Sequence, residues 1–337
     1  MVGFVNDETR QLVRVATLYY RHQLLQSEIA ERVGVSRQTV GRLLQRANDL
    51  GLVKVEIQQP FAYISDLELQ LEQTFGLSEA IVVSPLDDDD DTVKAALGTA
   101  AAAFLQKHLK DGDILGLSTG STTLYQCAVR MKPAHLPNVT VVSLNGNAPP
   151  NVNKPNVDLT AMLIGQALGA RIVLLPAPMF VDNATIKASL MNDLSIAAVI
   201  QLGHAANLVL LGIGLVTELS TPFRQGYFGK DLLELIRQRG AVGEIVGHAY
   251  DANGVHCFPE ISDRAIAIDL ESLHKKEFAV AVAGGAAKVD AIWGGVQGRY
   301  FNVLITDTSA ARGLLNLAEK RAAASDDPSD AVNRDPN

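Results

Sequence analysis

The sequence is poor in cysteine and in aromatic residues and has no long apolar run, and these shortages exclude several classes of protein. Two cysteines, Cys127 and Cys257, are too few for a disulfide framework or a cysteine-based metal site. No uninterrupted apolar run reaches the roughly 18 residues of a membrane-spanning helix, and no secretory signal is recognisable. We therefore expect a cytoplasmic protein with reduced thiols, no membrane partner, and no metal or cofactor.

The sequence does contain enough apolar residues for a large core, and its charge is unevenly distributed. Of the 337 residues 47% are hydrophobic, and the net charge is −8. Residues 1–60 carry eight basic and six acidic side chains, so this segment has a charge of +2 and the remainder carries −10. A small basic module joined to an acidic domain indicates that the small part faces nucleic acid.

Residues 26–44, QSEIAERVGVSRQTVGRLL, have the pattern of two short helices joined by a tight turn. Ser27 and Ser36 are suited to cap the two helices, and Gly34 can adopt the positive φ that ends the first one abruptly. A supporting helix is predicted within residues 9–22, and a short strand at 52–57. This arrangement predicts a helix-turn-helix, winged-helix-like DNA-binding domain over residues 1–60.

The second of these helices is predicted to read operator DNA in the major groove. Arginine pairs with guanine, and glutamine with adenine, through two hydrogen bonds each. The residues predicted to face DNA are Ser36, Arg37, Gln38, Thr39, Arg42 and Arg46. The alternative is an ordinary helical hairpin with a solvated polar face, but the capping, the turn and the outward chemistry agree with each other.

Beyond this module the pattern predicts an α/β domain with a mostly parallel, doubly wound sheet. Residues 61–76 are assigned to a linker or oligomerisation helix, although a short apolar stripe is also typical of plain core. Residues 77–320 form the large domain, and residues 321–337 are assigned to a disordered tail. The predicted buried strands are IVVS, ILGLS, VTVVSL, RIVLLP, NLVLLGIG, FAVAVAGG and NVLITD.

The main chemical signal of the large domain is a Gly/Ser/Thr loop between a buried strand and a helix, within residues 111–128. Its backbone N–H groups and hydroxyls favour a phosphate. Two other glycine-rich strand ends are expected at the same edge of the sheet, where α/β proteins bind ligands. The loop and strand-end residues assigned to the ligand are Ser118, Thr119, Gly120, Ser121, Thr122, Gly212, Gly214, Gly284 and Lys288.

Five separated motifs in the same order resemble the SorC/DeoR type of sugar-responsive bacterial regulator, and most of all the deoxyribonucleoside regulators of Gram-positive bacteria. The first three are residues 18–57, DGDILGLSTGSTTLYQ and PFRQGYF. The other two are VGEIVGHAYDANG and VAGGAAKVDAIWGGVQGRYFNVLITD. The resemblance covers nearly the whole chain.

The resemblance implies a sensor domain built like ribose-5-phosphate isomerase and glucosamine-6-phosphate deaminase, and a phosphorylated sugar as effector. It also implies that Lys288 and Asn145 face the effector. Related regulators can carry a lysine where this chain has Asn145, and that lysine could form a Schiff base with a sugar aldehyde. Because asparagine cannot, noncovalent binding is expected.

Three functions remain to be compared: a repressor released by its effector, an enzyme, and an oligomerisation scaffold. The segment Gly212–Thr217 lacks the Asp-Gly-His that follows the corresponding strand of the deaminase, so no catalytic residue is assigned. A scaffold would not need three glycine-rich strand ends. We therefore expect a dimeric or tetrameric repressor, because paired reading helices suit a two-fold symmetric operator.

Overall fold

The computed structural model describes residues 7–53, 61–147, 157–218, 220, 223, 226–256 and 258–325. The chain divides into two compact units, Met1–Ala62 and Tyr63–Asn337. Each unit buries an apolar core of its own, and each is described separately.

The smaller unit is a group of short helices around one apolar cluster. Its helices are α1 (Asp7–Ala16), which continues into a π-helical turn (Thr17–Arg21), α2 (Gln26–Val33) and α3 (Arg37–Asp49). Leu12, Ile29 and Val40 are buried where the three helices meet. Gly34 ends α2 with a φ of +71°, as expected for an abrupt stop.

The larger unit is built on two sheets. The strands that the structure describes are β1 (Glu79–Val83), β2 (Ile114–Leu117), β3 (Thr140–Ser143), β4 (Arg171–Val173), β5 (Leu208–Gly212), β6 (Gly214–Leu215), β7 (Ala241–Ile245), β8 (His248–Asp251), β9 (Phe278–Val282) and β10 (Val303–Asp307). Seven of them form a parallel sheet in the order β1-β10-β9-β5-β2-β3-β4. All seven predicted apolar runs are strands of this sheet, so that prediction is confirmed.

Helices cover both faces of the parallel sheet, and two further helices, α10 and α11, pack on strands β7 and β8 of the other sheet. The helices of this unit are α4 (Phe61–Phe75), α5 (Asp90–His108), α6 (Thr122–Ala128), α7 (Val157–Leu168), α8 (Ala184–Met191), α9 (Leu194–Ala205), α10 (Lys230–Gln238), α11 (Pro259–Ser262), α12 (Val289–Gln297) and α13 (Thr308–Ser325). Neighbouring residues of one strand belong to opposite cores: Leu208 packs into one apolar cluster and Val209 into the other. The doubly wound α/β prediction is confirmed.

Helix α4 covers the edge strand β1. Glu72 and Glu68 accept hydrogen bonds from the backbone N–H groups of Ala80 and Val82, both at 2.9 Å. These carboxylates occupy donors that an exposed edge strand would offer to another chain. Leu67 and Leu71 are buried in the core of the larger unit, so the apolar stripe of this segment packs within the chain.

The smaller sheet, β6-β7-β8, is antiparallel and was not predicted from the sequence. Strands β7 and β8 are joined by the two-residue turn Val246-Gly247, whose φ angles are +47° and +86°. Positive φ at both positions is the geometry of a type I′ hairpin turn. Valine is unusual there, because a β-branched residue is strained at positive φ.

Three further expectations concern the ends of segments and the cysteines. Residues 54–57 of the predicted strand lie outside the described residues, and Leu52 and Val53 are not in a strand. Helix α13 continues to Ser325, five residues beyond the last residue assigned to the large domain, because its end is rich in alanine. Burial raises the pKa of the Cys127 thiol to about 12, whereas Cys257 lies outside the described residues.

Among the described residues, no helix combines the length and the apolar character that crossing a bilayer requires.

Candidate functional site

The recognition-type helix α3 begins at a well-formed cap. The Ser36 hydroxyl accepts the backbone N–H of Thr39 at 3.1 Å, as the sequence predicts. Ser27 does not cap α2: that helix begins one residue earlier, and Glu28 instead accepts the backbone N–H of Leu25 at 2.7 Å. The Glu28 carboxylate thus satisfies the N–H of the N-cap residue Leu25, whereas a serine at the N-cap would satisfy the N–H groups of the second or third helical residue.

The polar face of α3 is presented to solvent. Val40 and Leu44 are buried beneath it. Of the residues predicted to face DNA, Thr39 is half-buried and Ser36, Arg37, Gln38, Arg42 and Arg46 are exposed. Gln45 is also exposed on α3, where its amide donates to Asp49. The guanidinium groups of Arg37, Arg42 and Arg46 and the amide of Gln38 therefore lie at the solvent-facing surface of α3.

A cavity of about 380 Å³ opens at the carboxyl ends of β2 and β5, and we call it the edge cavity. Its volume lies within the roughly 300–1,000 Å³ typical of small-molecule sites. The residues that line it are Asp90, Lys94, Ser118, Thr119, Gly120, Ser121, Thr122, Thr123, Met179, Gly212, Ile213, Gly214, Leu215, Thr217, Ser220, Glu244, Val246 and Lys288. Eight of the predicted ligand residues are therefore brought together here.

One wall of the edge cavity is residues 118–123, which we call the edge loop. Gly120 has a φ of +88°, a conformation that side chains rarely adopt. Within the described residues, no hydrogen-bond partner is found for the backbone N–H groups of Gly120, Ser121, Thr122 and Thr123. Successive unpaired N–H groups in such a loop form a concave site for an anion.

Two hydroxyls of the edge loop hold it in place and remain able to donate. The Ser118 hydroxyl accepts the backbone N–H of Gly212 at 2.9 Å, and the Ser121 hydroxyl accepts that of Leu124 at 3.3 Å. Gly212 is necessary for this packing, since a Cβ there would lie 2.7 Å from the Ser121 hydroxyl oxygen. Each hydroxyl keeps its own hydrogen for a ligand.

Asn145 is not placed as the resemblance implied. It is buried behind the edge loop and does not line the edge cavity. Its side-chain oxygen accepts the backbone N–H of Thr119 at 2.8 Å, and the Thr119 hydroxyl donates to the Gly146 carbonyl at 2.9 Å. These bonds occupy both hydrogen-bond donors of Thr119. Asn145 and Thr119 therefore stabilise the loop from behind and are not available to a ligand through these groups.

Lys288 is held at the opposite wall by a backbone carbonyl. Its amine donates to the Ile213 carbonyl oxygen at 2.7 Å. Burial, together with the nearby charge of Lys94, lowers the pKa of Lys288. Gly284 does not line the edge cavity; a Cβ there would lie 2.5 Å from a carboxylate oxygen of Asp307. That oxygen accepts the backbone N–H of Gly285 at 2.6 Å and so fixes the turn that carries Lys288.

The β7–β8 hairpin adds a carboxyl group to the edge cavity. Glu244 lines it, and burial raises the pKa of this carboxyl. One Glu244 oxygen accepts the backbone N–H of Gly247, which holds the strained Val246 turn against the site. Gly214 allows the close approach, because a Cβ there would lie 2.6 Å from the other Glu244 oxygen.

Six charged or polar residues of the cavity wall were missed by sequence reasoning: Asp90, Lys94, Thr123, Thr217, Ser220 and Glu244. Asp89 caps α5, and the helix begins at Asp90. The spacing of Asp90 and Lys94, four residues apart on a helix, was the available signal. Among the described residues, no group of three or more His, Cys, Asp or Glu side chains could hold a metal ion.

Comparison with known proteins assigns both units. A family model described as "Putative sugar-binding domain" matches residues 59–316, and a MarR family model matches residues 13–60. The deoxyribonucleoside regulator of Bacillus subtilis (strain 168) is 38% identical over 314 residues, which cover 93% of this chain and 99% of the relative. The transcriptional regulator LsrR of Enterobacter sp. (strain 638) is 32% identical, with 94% and 96% covered.

The crystal structure of the full-length sorbitol operon regulator SorC from Klebsiella pneumoniae superposes with a TM-score of 0.70 at 26% identity, covering 92% of this chain and 100% of that one. These relatives are named as regulators, in agreement with the prediction of a regulator rather than an enzyme. The chain is a DNA-binding transcriptional regulator, and it belongs to the SorC/DeoR-type family that joins a helix-turn-helix to a sugar-binding domain.

Proposed function

We propose that this regulator represses a carbohydrate or nucleoside catabolic operon and leaves its operator when a phosphorylated sugar binds in the edge cavity. The observation that carries the proposal is the row of four edge-loop backbone N–H groups for which the described residues provide no partner, in the same cavity as Lys288. Such a row binds an oxyanion without needing a charged side chain of its own. A phosphate is the anion that a sugar-binding domain would meet on a metabolite.

The remaining walls suit the sugar itself. Glu244 and the hydroxyls of Thr217 and Ser220 line the edge cavity away from the loop and offer hydrogen-bonding groups to sugar hydroxyls. Met179 and Val246 supply apolar surface. The phosphate would therefore provide most of the affinity, and these side chains would select among sugars.

We infer that α3 reads the operator. Gln38 and Arg42 would contact bases, and Arg37 and Arg46 would contact bases or phosphates at its flanks; the exposure of all four on one helix supports this assignment. Ser36 and Thr39, at the start of the helix, are suited to phosphate contacts. A homodimer or tetramer would present paired reading helices to a symmetric site, in the cytoplasm where operator DNA lies.

The test is release of operator DNA, titrated with a sugar phosphate and with the same sugar unphosphorylated. A panel of pentose and hexose phosphates, screened by thermal shift on the full-length chain, selects the compound to use. We expect the phosphate ester to release DNA and the free sugar to do so far more weakly. The double variant Ser121→Val/Thr122→Val should bind operator normally and lose the response, because it removes two hydroxyl donors beside the anion.

Equal release by the free sugar, or a normal response of the double variant, would contradict the proposal. Conversion of any panel compound at about 1 per second or faster, an ordinary enzymatic rate, would show an enzyme instead.

A further inference from the structure

Two residues of the first turns of α5, Asp90 and Lys94, lie on the wall of the edge cavity. Neither belongs to the edge loop or to the glycine-rich strand ends. They are four residues apart and share one helix face, and they form an ion pair with each other. The neighbouring acidic residues do not share this position, since Asp89 caps the helix and Asp91 is exposed outside the cavity.

The two partners of this pair differ in their contact with solvent. The side chain of Lys94 is only 22% exposed, whereas that of Asp90 is 79% exposed. An ion pair with one well-hydrated partner contributes little to stability, because water replaces the contact at low cost. Asp90 can therefore leave Lys94 without disturbing the fold, whereas Lys94 stays at the cavity wall.

The charges around the cavity favour an anion as the replacement partner. Lys94 is near enough to Lys288 for its charge to disfavour the protonated form of that buried amine, an effect that Asp90 and Glu244 oppose. Two ammonium groups that repel each other across a cavity are both stabilised when an anion binds between them. Without a ligand, the carboxyl groups of Asp90 and Glu244 offset part of this repulsion.

We propose that Lys94 is a further effector-binding residue, that Asp90 neutralises it in the empty site, and that a phosphate oxyanion takes the place of the Asp90 carboxylate. The inference rests on the proposed function and deepens it by assigning a second cationic ligand. Binding is then an exchange of partners: the Lys94–Asp90 contact breaks, a Lys94–phosphate contact forms, and Asp90 turns to solvent. No proton or covalent bond is exchanged.

The exchange predicts opposite effects of two substitutions on affinity for inorganic phosphate, measured by calorimetry on the full-length chain. Lys94→Gln should weaken binding about tenfold or more, because it removes a charge-assisted hydrogen bond. Asp90→Asn should tighten binding about two- to fivefold, because it removes the competitor. In the double variant the Asp90 substitution should have no further effect, since its partner is gone.

Matched controls exist on the same helix. Asp91→Asn removes an identical charge one residue away and outside the edge cavity, and Lys107→Gln removes a cation that pairs with Glu79 near the other end of α5. Both should leave phosphate affinity within about twofold, as expected for exposed charges screened by salt.

The outcomes separate this inference from the proposed function. If Lys94→Gln leaves affinity unchanged, or if Asp90→Asn tightens binding no more than Asp91→Asn, the exchange is refuted. If, in that case, Lys288→Met and Ser121→Val/Thr122→Val still weaken phosphate binding, then the edge cavity binds phosphate and only the assignment of Lys94 is wrong. If wild-type protein binds neither phosphate nor any sugar phosphate, both proposals fail.

Discussion

The side-chain oxygen of Asn145 accepts the backbone N–H of Thr119, so a buried residue that follows β3 supports the loop that follows β2 from behind. Asn145→Ala removes the acceptor and leaves that N–H unsatisfied inside the protein. We expect a loss of about 1–3 kcal/mol in the free energy of unfolding. Phosphate affinity should fall as well, although Asn145 does not line the edge cavity, because the loop loses its support.

The control for this prediction is Thr119→Ser, which keeps both the backbone N–H and the hydroxyl that bonds to Gly146. It should retain most of the stability and most of the phosphate affinity. Urea denaturation and calorimetry measure the two quantities, and a fully stable Asn145→Ala protein with normal affinity would disprove the supporting role.

A second prediction concerns the contact between Gly212 and the edge loop. Gly212→Ala places a Cβ within 2.8 Å of both the Ser121 hydroxyl oxygen and its Cβ, so the loop has to move. Phosphate affinity should fall by about tenfold or more, since a displacement of about 1 Å is enough to misplace the binding groups. Gly229→Ala is the matched control, because the added Cβ meets no atom within 4 Å.

The third prediction separates stability from effector response at Lys288. Its pKa is lowered in the folded state, so the charged amine costs stability at neutral pH, and stability recovers as pH rises from the folded towards the unfolded pKa. Lys288→Met removes this cost but also the donor to the Ile213 carbonyl. We expect the free energy of unfolding to fall by no more than about 1 kcal/mol, or to rise, while effector release of DNA is lost. A strongly destabilised variant would show that the amine is mainly structural.

The fourth prediction concerns the pH dependence of stability. Burial raises the pKa of Glu244 above its ordinary value of 4.5, so the ionised carboxylate destabilises the fold and stability falls as pH rises through the folded pKa. Glu244→Gln keeps an acceptor for Gly247 and removes the charge. As the pH rises above 4.5, the variant should lose less stability than wild type in urea denaturation. Glu319→Gln, at an exposed position, should behave as wild type does.

The fifth prediction tests the proposed role of α3 in recognising operator bases. Arg42→Ala should weaken operator binding by about 1–3 kcal/mol and relax the base preference at one position of each half-site. Lys107→Ala removes one positive charge from the larger unit and should change neither quantity. Binding to a library of operator variants measures both, and an unchanged base preference for Arg42→Ala would place base reading elsewhere.

The parallel sheet could be predicted because its strands are buried on both faces. A segment such as Leu208–Gly212 has to be apolar at every position, so it appears in the sequence as a continuous run. The β7–β8 hairpin had no such signal. It turns at Val246-Gly247, where asparagine or glycine would be expected, and tertiary contacts such as the Glu244 bond override that local preference.

The edge loop could also be predicted, since its small residues follow a strand directly. Gly212, Gly214 and Lys288 were likewise predicted, because they lie at glycine-rich strand ends of the same sheet edge. Asp90, Lys94 and Glu244 were not, because they come from other segments of the chain and only the fold brings them to this cavity. Asn145 shows the opposite limit. The sequence correctly predicted that Asn145 lies next to the edge loop. It could not predict that the side chain is buried behind the loop instead of lining the cavity.

The walls of the edge cavity come from separate stretches of chain: residues 90 and 94, 118–123, 179, 212–215, 217 and 220, 244 and 246, and 288. A ligand that touches all of them can bind only when every stretch is folded, so its binding stabilises the folded state of the larger unit. At a concentration one hundredfold above its Kd, such a ligand adds about 2.7 kcal/mol to the free energy of unfolding. Proteases digest the opened chain, so under the proposed function the metabolite that releases the operator would also lengthen the lifetime of the regulator in the cell.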